Sequence, residues 1–344
     1  QVERGDVPAS PAFTAAVARA LGVDVTTLYG QPYRPAITGI DAVRAALDHD
    51  DDSEPTGPAM TPDKLRTRLD AADQHRAAAR YTELTAMLPE LLVHAHNAAS
   101  PDSALLTDAC LLAQTVADRF GYQDLAMLAN RRARDAAERC GDPLRTAVVI
   151  GERAVLRLHR GDHYGALLSC ERAHAGIAGE HGPDADAIRA HLHLREALAH
   201  ARIGSPGRAD EHLDTARELV ANGVPASPYY GVLATAAAVD IHWIAVAVEL
   251  TDAATALDRA GQVKIPTGEE PALLAGYWID LARAWALHGD HAQALDALRQ
   301  ARTPAPQLVH HHPQARETVY FLAEAERRAA DSLAGFARWL GITD

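Results

Sequence analysis

Hydrophobic residues along this chain recur at helical spacing. Phe13, Ala16, Val17, Ala20 and Leu21 fall at i, i+3, i+4, i+7 and i+8, which predicts one helix from about Ser10 to Leu21, closed by Gly22. The stretch IDAVRAAL, residues 40–47, predicts a second, short helix. Asp48 to Thr61 is acidic, contains Pro and Gly and has no apolar period, so it predicts a solvated, flexible linker. Thr61 followed by Pro62 then marks a helix start. From there to the C-terminus the pattern stays helical, broken by Gly-Asp, Ser-Pro and His-Gly-Pro turns. Sustained alternation of apolar and polar residues is absent, so the expected fold class is all-α.

The turns repeat with a fixed internal layout. HRGDHYGALLSCERA (159–173), ARIGSPGRADEHLDTA (201–216) and LHGDHAQALDALRQA (287–301) carry turn glycines Gly161, Gly204 and Gly289. Ala166, Ala209 and Ala294 follow five residues later, and Ala173, Ala216 and Ala301 seven after those. A fainter copy places Gly121, Ala126 and Ala133, and a degenerate one places Ala253 and Ala260. The first alanines of the copies therefore step by 40, 43, 44 and 41 residues. Such a period predicts helical hairpins stacked in an array, with alanines where helices approach closely. A further hairpin around Thr82 to Ala98, interrupted at Pro89, is expected to cap the front. Phe336 to Leu340 is expected to close the back.

Composition sharpens this picture. The chain is 48% hydrophobic but only 5% aromatic, which favours close-packed helices over sheets. A formal net charge of −13 argues against a body that lies on nucleic acid or an anionic membrane. Tyr229 to Leu250 is the most apolar stretch, but Asp240, His242 and Glu249 interrupt it, so a buried helix is expected there and no membrane span. Cys110, Cys140 and Cys170 have no metal-type spacing and are odd in number, which fits a reducing, cytoplasmic setting.

The final copy fills a known pattern. Trp278, Leu281, Ala282, Trp285, Ala294, Leu298, Ala301 and Pro306 resemble a tetratricopeptide repeat, with Trp in the usual Tyr position. At the other end, QVERG, a Pro, a helix, ARALGV and Leu28 resemble the second half of a Cro/repressor-type (XRE family) helix-turn-helix domain. That resemblance implies three units. Residues 1–35 are the C-terminal half of a helix-turn-helix DNA-binding domain. Residues 36–61 are a short helix and acidic flexible linker, and residues 62–344 a tetratricopeptide-like repeat superhelix. It also implies that Gln1 and Arg4 end a recognition helix whose earlier part precedes this sequence. The combination looks like a class of actinobacterial transcriptional regulators, acting as homodimers on operator DNA.

Motifs for catalysis are missing from the sequence: there is no H-E-x-x-H, C-x-x-C, G-x-S-x-G or Walker-type loop. Neither an enzyme nor a cofactor is expected. His310, His311 and His312 are consecutive and would point in three directions; His191 and His193, like His94 and His96, lie on different faces, so no metal site is expected. Cys110 is expected to be a buried, inert thiol. Binding is the better expectation, because the first helices of a tetratricopeptide stack line a groove suited to a peptide, small molecule or partner protein. The repeat register places Glu152, Val155 and His159 on that side of one hairpin, and His191, Arg195 and Arg202 on the next. Thr235 and His242 follow, then Arg283 and Leu287. Arg195 and Arg283 could fork onto a carboxylate or phosphate. Two functions follow from these readings: a DNA-binding transcriptional regulator whose repeat domain dimerises and senses a ligand, or a scaffold or adaptor that binds a partner without DNA.

Overall fold

The structure, a computed structural model, describes residues 37–48, 60–98, 103–221, 227, 229–264, 268–325 and 331–342, together with positions 14 and 17, which are helical. Gln1, Arg4, most of the helix expected at Ser10 to Leu21 and the acidic segment 49–59 lie outside the described residues. Within them the chain is all-α, with sixteen helices and no strand. A short α1 (Ile40–Leu47) precedes six hairpins: α2 (Pro62–Ala77) with α3 (Tyr81–Asn97), α4 (Ser103–Arg119) with α5 (Gln123–Cys140), α6 (Pro143–His159) with α7 (His163–Gly176), α8 (Pro183–Ile203) with α9 (Pro206–Val220), α10 (Ala236–Glu249) with α11 (Ala253–Gln262), and α12 (Pro271–His288) with α13 (His291–Arg302). Helices α14 (Pro306–His311), α15 (Pro313–Ala325) and α16 (Asp331–Trp339) follow. None of the described helices is long and apolar enough to cross a membrane.

One backbone device makes every hairpin. Ala79, Gly121, Gly161, Gly204, Thr251 and Gly289 all adopt positive φ immediately after the first helix. At each, the next N–H reaches back to the carbonyl five residues earlier, as in Tyr122 to Ala117 and Asp162 to Arg157, at 2.8–3.0 Å. This double-bonded C-cap favours glycine because a side chain is strained there. Ala79 and Thr251 accept that strain, and their hairpins are the ones least legible in the sequence. Asp162, Asp252 and Asp290 then cap the second helices through their carboxylates.

Two sequence expectations need correction. In the degenerate copy the turn is at Thr251, so the close-packed alanine five residues on is Ala256, fully buried, while Ala253 and Ala260 are only half-buried. Pro89 does not interrupt a hairpin: it lies inside the continuous α3, which is itself the second arm of the first hairpin. Burial of Leu84, Leu88, Leu91 and Leu92 along α3 outweighs the roughly 3 kcal/mol that an internal proline costs.

Successive first helices, α2, α4, α6, α8, α10 and α12, touch one another and form an inner layer; the second helices form the outer one. Helix α1 packs on α3 and α5 through Ile40, Val43 and Leu47, with Arg44 paired to Asp124 at 3.1 Å. The array comes round on itself. Arg76 of α2 pairs with Glu270, the N-cap of α12, at 3.3 Å. The Thr82 N–H donates to Gln307 at 2.9 Å, and the Phe120 ring meets His311 edge-on, 4.9 Å between centroids.

Candidate functional site

The inner layer collects the charged residues that the repeat register selected. Glu152 on α6 bonds Arg195 on α8, whose Nη1 also donates to the His191 carbonyl at 3.2 Å. His191 Nε2 stands 4.0 Å from the same carboxylate, and Gln114 on α4 donates to it at 3.4 Å. His242 on α10 uses Nδ1–H on the Ala238 carbonyl at 2.7 Å. A second group centres on Glu249: Arg202 approaches it at 3.1 and 3.3 Å, Arg283 of α12 at 3.0 Å. Arg283 also holds Asp280 at 2.9 Å. His159, nearer the surface, pairs with Asp118 of α4 at 2.9 Å. Thr235 is used as the cap of α10, bonding the Ala238 N–H at 3.0 Å.

The candidates thus converge, but on one another: Arg195 and Arg283 are each 7% exposed and already hold carboxylates. Each of these two carboxylate–arginine links joins adjacent hairpins, so the network stitches the array along its inner face. Sequence reasoning missed Glu249, which had registered only as an interruption of an apolar run. The signal was present, since Glu249 follows His242 by seven residues, as His159 follows Glu152 and Arg202 follows Arg195.

Burial sets the charges. It opposes ionisation of Glu249, but Arg202 and Arg283 outweigh it and hold the carboxyl down at about 2. Glu152 is likewise held below its ordinary range, burial notwithstanding, chiefly by Arg195. Asp280 goes the other way, pushed up to about 6 by burial and only partly restrained by Arg283. His191 and His242 are pushed down to about 4, by burial first and by Arg195 in addition, so both are neutral at pH 7. For such a histidine the unfolded chain takes up a proton below about pH 6.5 while the folded one does not until about 4. Stability contributed by the neutral ring is therefore present above pH 6.5 and lost as pH falls toward 4. The urea midpoint accordingly falls between pH 7 and pH 5, and His242→Gln removes roughly 2 kcal/mol of that dependence. A variant that titrates like the parent would mean that His242 is solvated.

Tyr229 and Tyr230, just before α10, reach this inner face. Tyr230 is buried, its hydroxyl bonded to Thr115 of α4, with Arg76 5.3 Å above its ring. Tyr229 donates to Asp142, the N-cap of α6, at 3.1 Å. Beside them is half-buried Arg119. Its Nε is buried without a partner, as are Nε of Arg195 and Nε2 of His191. Tyr81, Asp118, Tyr230 and Glu152 keep the Arg119 charge in place against burial.

Elsewhere, Arg134, Arg153, Arg157 and Arg172 line a 290 Å³ cavity between α5, α6 and α7, a basic spot on an acidic molecule. His310 and His311 do not diverge as expected: their rings meet edge-on, 4.7 Å between centroids, while His310 also meets Trp339 and His311 meets Phe120. Cys110 is fully buried and its thiol is pushed up to about 12. Missed entirely by sequence reasoning is a convergence of His174, His193 and Glu196 between α7 and α8. His193 does point away from His191, but its partners come from neighbouring helices and not from its own segment. No protein-family model matches the chain, and no curated protein aligns with it significantly.

Proposed function

We propose that this protein is a DNA-binding transcriptional regulator whose repeat body forms the dimer and receives a peptide or small-molecule ligand on its inner face. Support for the DNA-binding half is the resemblance of QVERG…ARALGV to an XRE-family domain, which lies outside the described residues. Support for the ligand half is one observation: half-buried Arg119, on the inner face, has its Nε enclosed without a hydrogen-bond partner. An enclosed guanidinium N–H without a partner is costly, so a ligand carboxylate or phosphate is its natural complement. Ligand charge near Arg119 would compete with Glu152 for Arg195. Because that link joins adjacent hairpins, loosening it would alter the curvature of the array and the spacing of two DNA-binding heads. Heads bound to half-sites one helical turn apart are sensitive to such a change.

Native mass spectrometry on the full-length protein, purified from its own host and gently desalted, tests the ligand half. A dimer carrying a bound anionic molecule is expected, with Arg119→Met losing at least about tenfold in occupancy. A monomer without bound molecules, unchanged by the substitution, would contradict it.

A further inference from the structure

We propose that His174, His193, His212 and Glu196 form a binding site for a divalent transition-metal ion, zinc(II) being the best match to the donors. The site is independent of the inner-face network and uses other residues. His174 comes from α7, His193 and Glu196 from α8 one turn apart, and His212 from α9. Three imidazole nitrogens surround one carboxylate oxygen: from Glu196 Oε2, His174 Nε2 lies at 3.2 Å, His193 Nδ1 at 2.9 Å and His212 Nδ1 at 3.2 Å. His193 Nδ1 and His212 Nδ1 are themselves 2.9 Å apart.

Donor atoms of His174, His193 and Glu196 lie within 4.8 Å of one another, and His212 stands against two of them. Ligand bonds of about 2.0–2.1 Å in a tetrahedron put donor atoms about 3.3 Å apart, so drawing His174 and His212 in around the ion would complete the set. Three nitrogens and one oxygen are donors suited to zinc and its neighbours, not to calcium or magnesium. All four side chains are only 9–23% exposed, which limits competition from water.

Hydrogen bonding alone does not satisfy the cluster. If one Nδ1 of the His193–His212 pair carries the proton, the other can accept it but then faces the carboxylate oxygen lone pair to lone pair. If both carry protons, two N–H groups face each other across 2.9 Å. A cation at the centre relieves both conflicts, and each imidazole keeps its second nitrogen for an outward hydrogen bond. His200, stacked on the His212 ring at 5.2 Å, steadies that ligand from outside. The ion would tie α7 to α8 and α9, pinning two successive hairpins at a fixed angle.

The test uses the full chain without an affinity tag, stripped by a chelator and titrated with cobalt(II). One equivalent is expected to give the intense visible ligand-field bands of tetrahedral cobalt, which zinc(II) then abolishes by displacement. His193→Ala and His212→Ala are each expected to weaken cobalt binding by at least about 100-fold, whereas His159→Ala leaves it unchanged. Glu196→Gln, nearly isosteric, gives the same reading should an alanine variant fail to fold. Absence of tetrahedral bands in the parent protein, or their survival at full affinity in the His193, His212 and Glu196 variants, would overturn the proposal.

Discussion

Replacing Glu249 with alanine lowers the stability of this protein by about 3–5 kcal/mol. Glu249 is 4% exposed and, among the described residues, is the only carboxylate in contact with Arg202, while Arg283 shares it with Asp280. Without it, two buried guanidiniums lose their main counter-charge in a setting where neither can be hydrated. Compensation would be unequal. Asp280, held up to about 6 by burial and by Glu249 among other charges, ionises more fully and keeps Arg283 partly neutralised. Among the described residues, Arg202 retains only the Leu158 carbonyl at 3.1 Å. Arg202→Met in the Glu249→Ala background is therefore expected to recover part of the loss, because it removes the stranded charge. Urea unfolding followed by circular dichroism measures both. A loss below about 1 kcal/mol for Glu249→Ala would mean that the inner face is open to water.

Phe120→Ala is expected to cost a similar amount, about 3–5 kcal/mol, by a different mechanism. Phe120 is 2% exposed and follows directly on α4, where its ring meets Tyr81 of α3 and His311 of α14, both edge-on. It thus joins Tyr81 and His311, 230 positions apart in sequence, and truncating it leaves a cavity where the front and rear of the array meet. Hydrogen exchange should quicken in α14 and α15 as well as in α3 and α4. Exchange that quickens only in α3 and α4 would show that the two ends are not coupled.

How much of this was legible follows from what each feature depends on. The hairpins with Gly121, Gly161, Gly204 and Gly289 could be read because a positive φ selects glycine and a close helix approach selects alanine five residues later. Where Ala79 and Thr251 make the same turn, tertiary packing carries a strained residue and the signal disappears; Ala256 was then misplaced by three residues and α3 was split at Pro89. Inner-face positions followed from the register, since Glu152, His191, Arg195, Arg202, His242 and Arg283 do share one side. Their burial and mutual pairing did not follow. A single strand of text does not state how near the neighbouring hairpin lies or that Tyr230 reaches the inner face. The histidine cluster is the clearest case. Its donors belong to three helices, and a search for ligand spacing within one segment dismissed His193 for the company of His191.

The central claim, a ligand-responsive DNA-binding regulator, is tested most directly by selecting DNA from a random duplex pool with the full-length dimer. A two-fold symmetric site is predicted, its half-sites separated by whole turns of the helix, with enrichment lost in Arg4→Ala. Recovery of no preferred sequence, at low salt where even weak phosphate contacts register, would contradict the account and leave the protein as a scaffold.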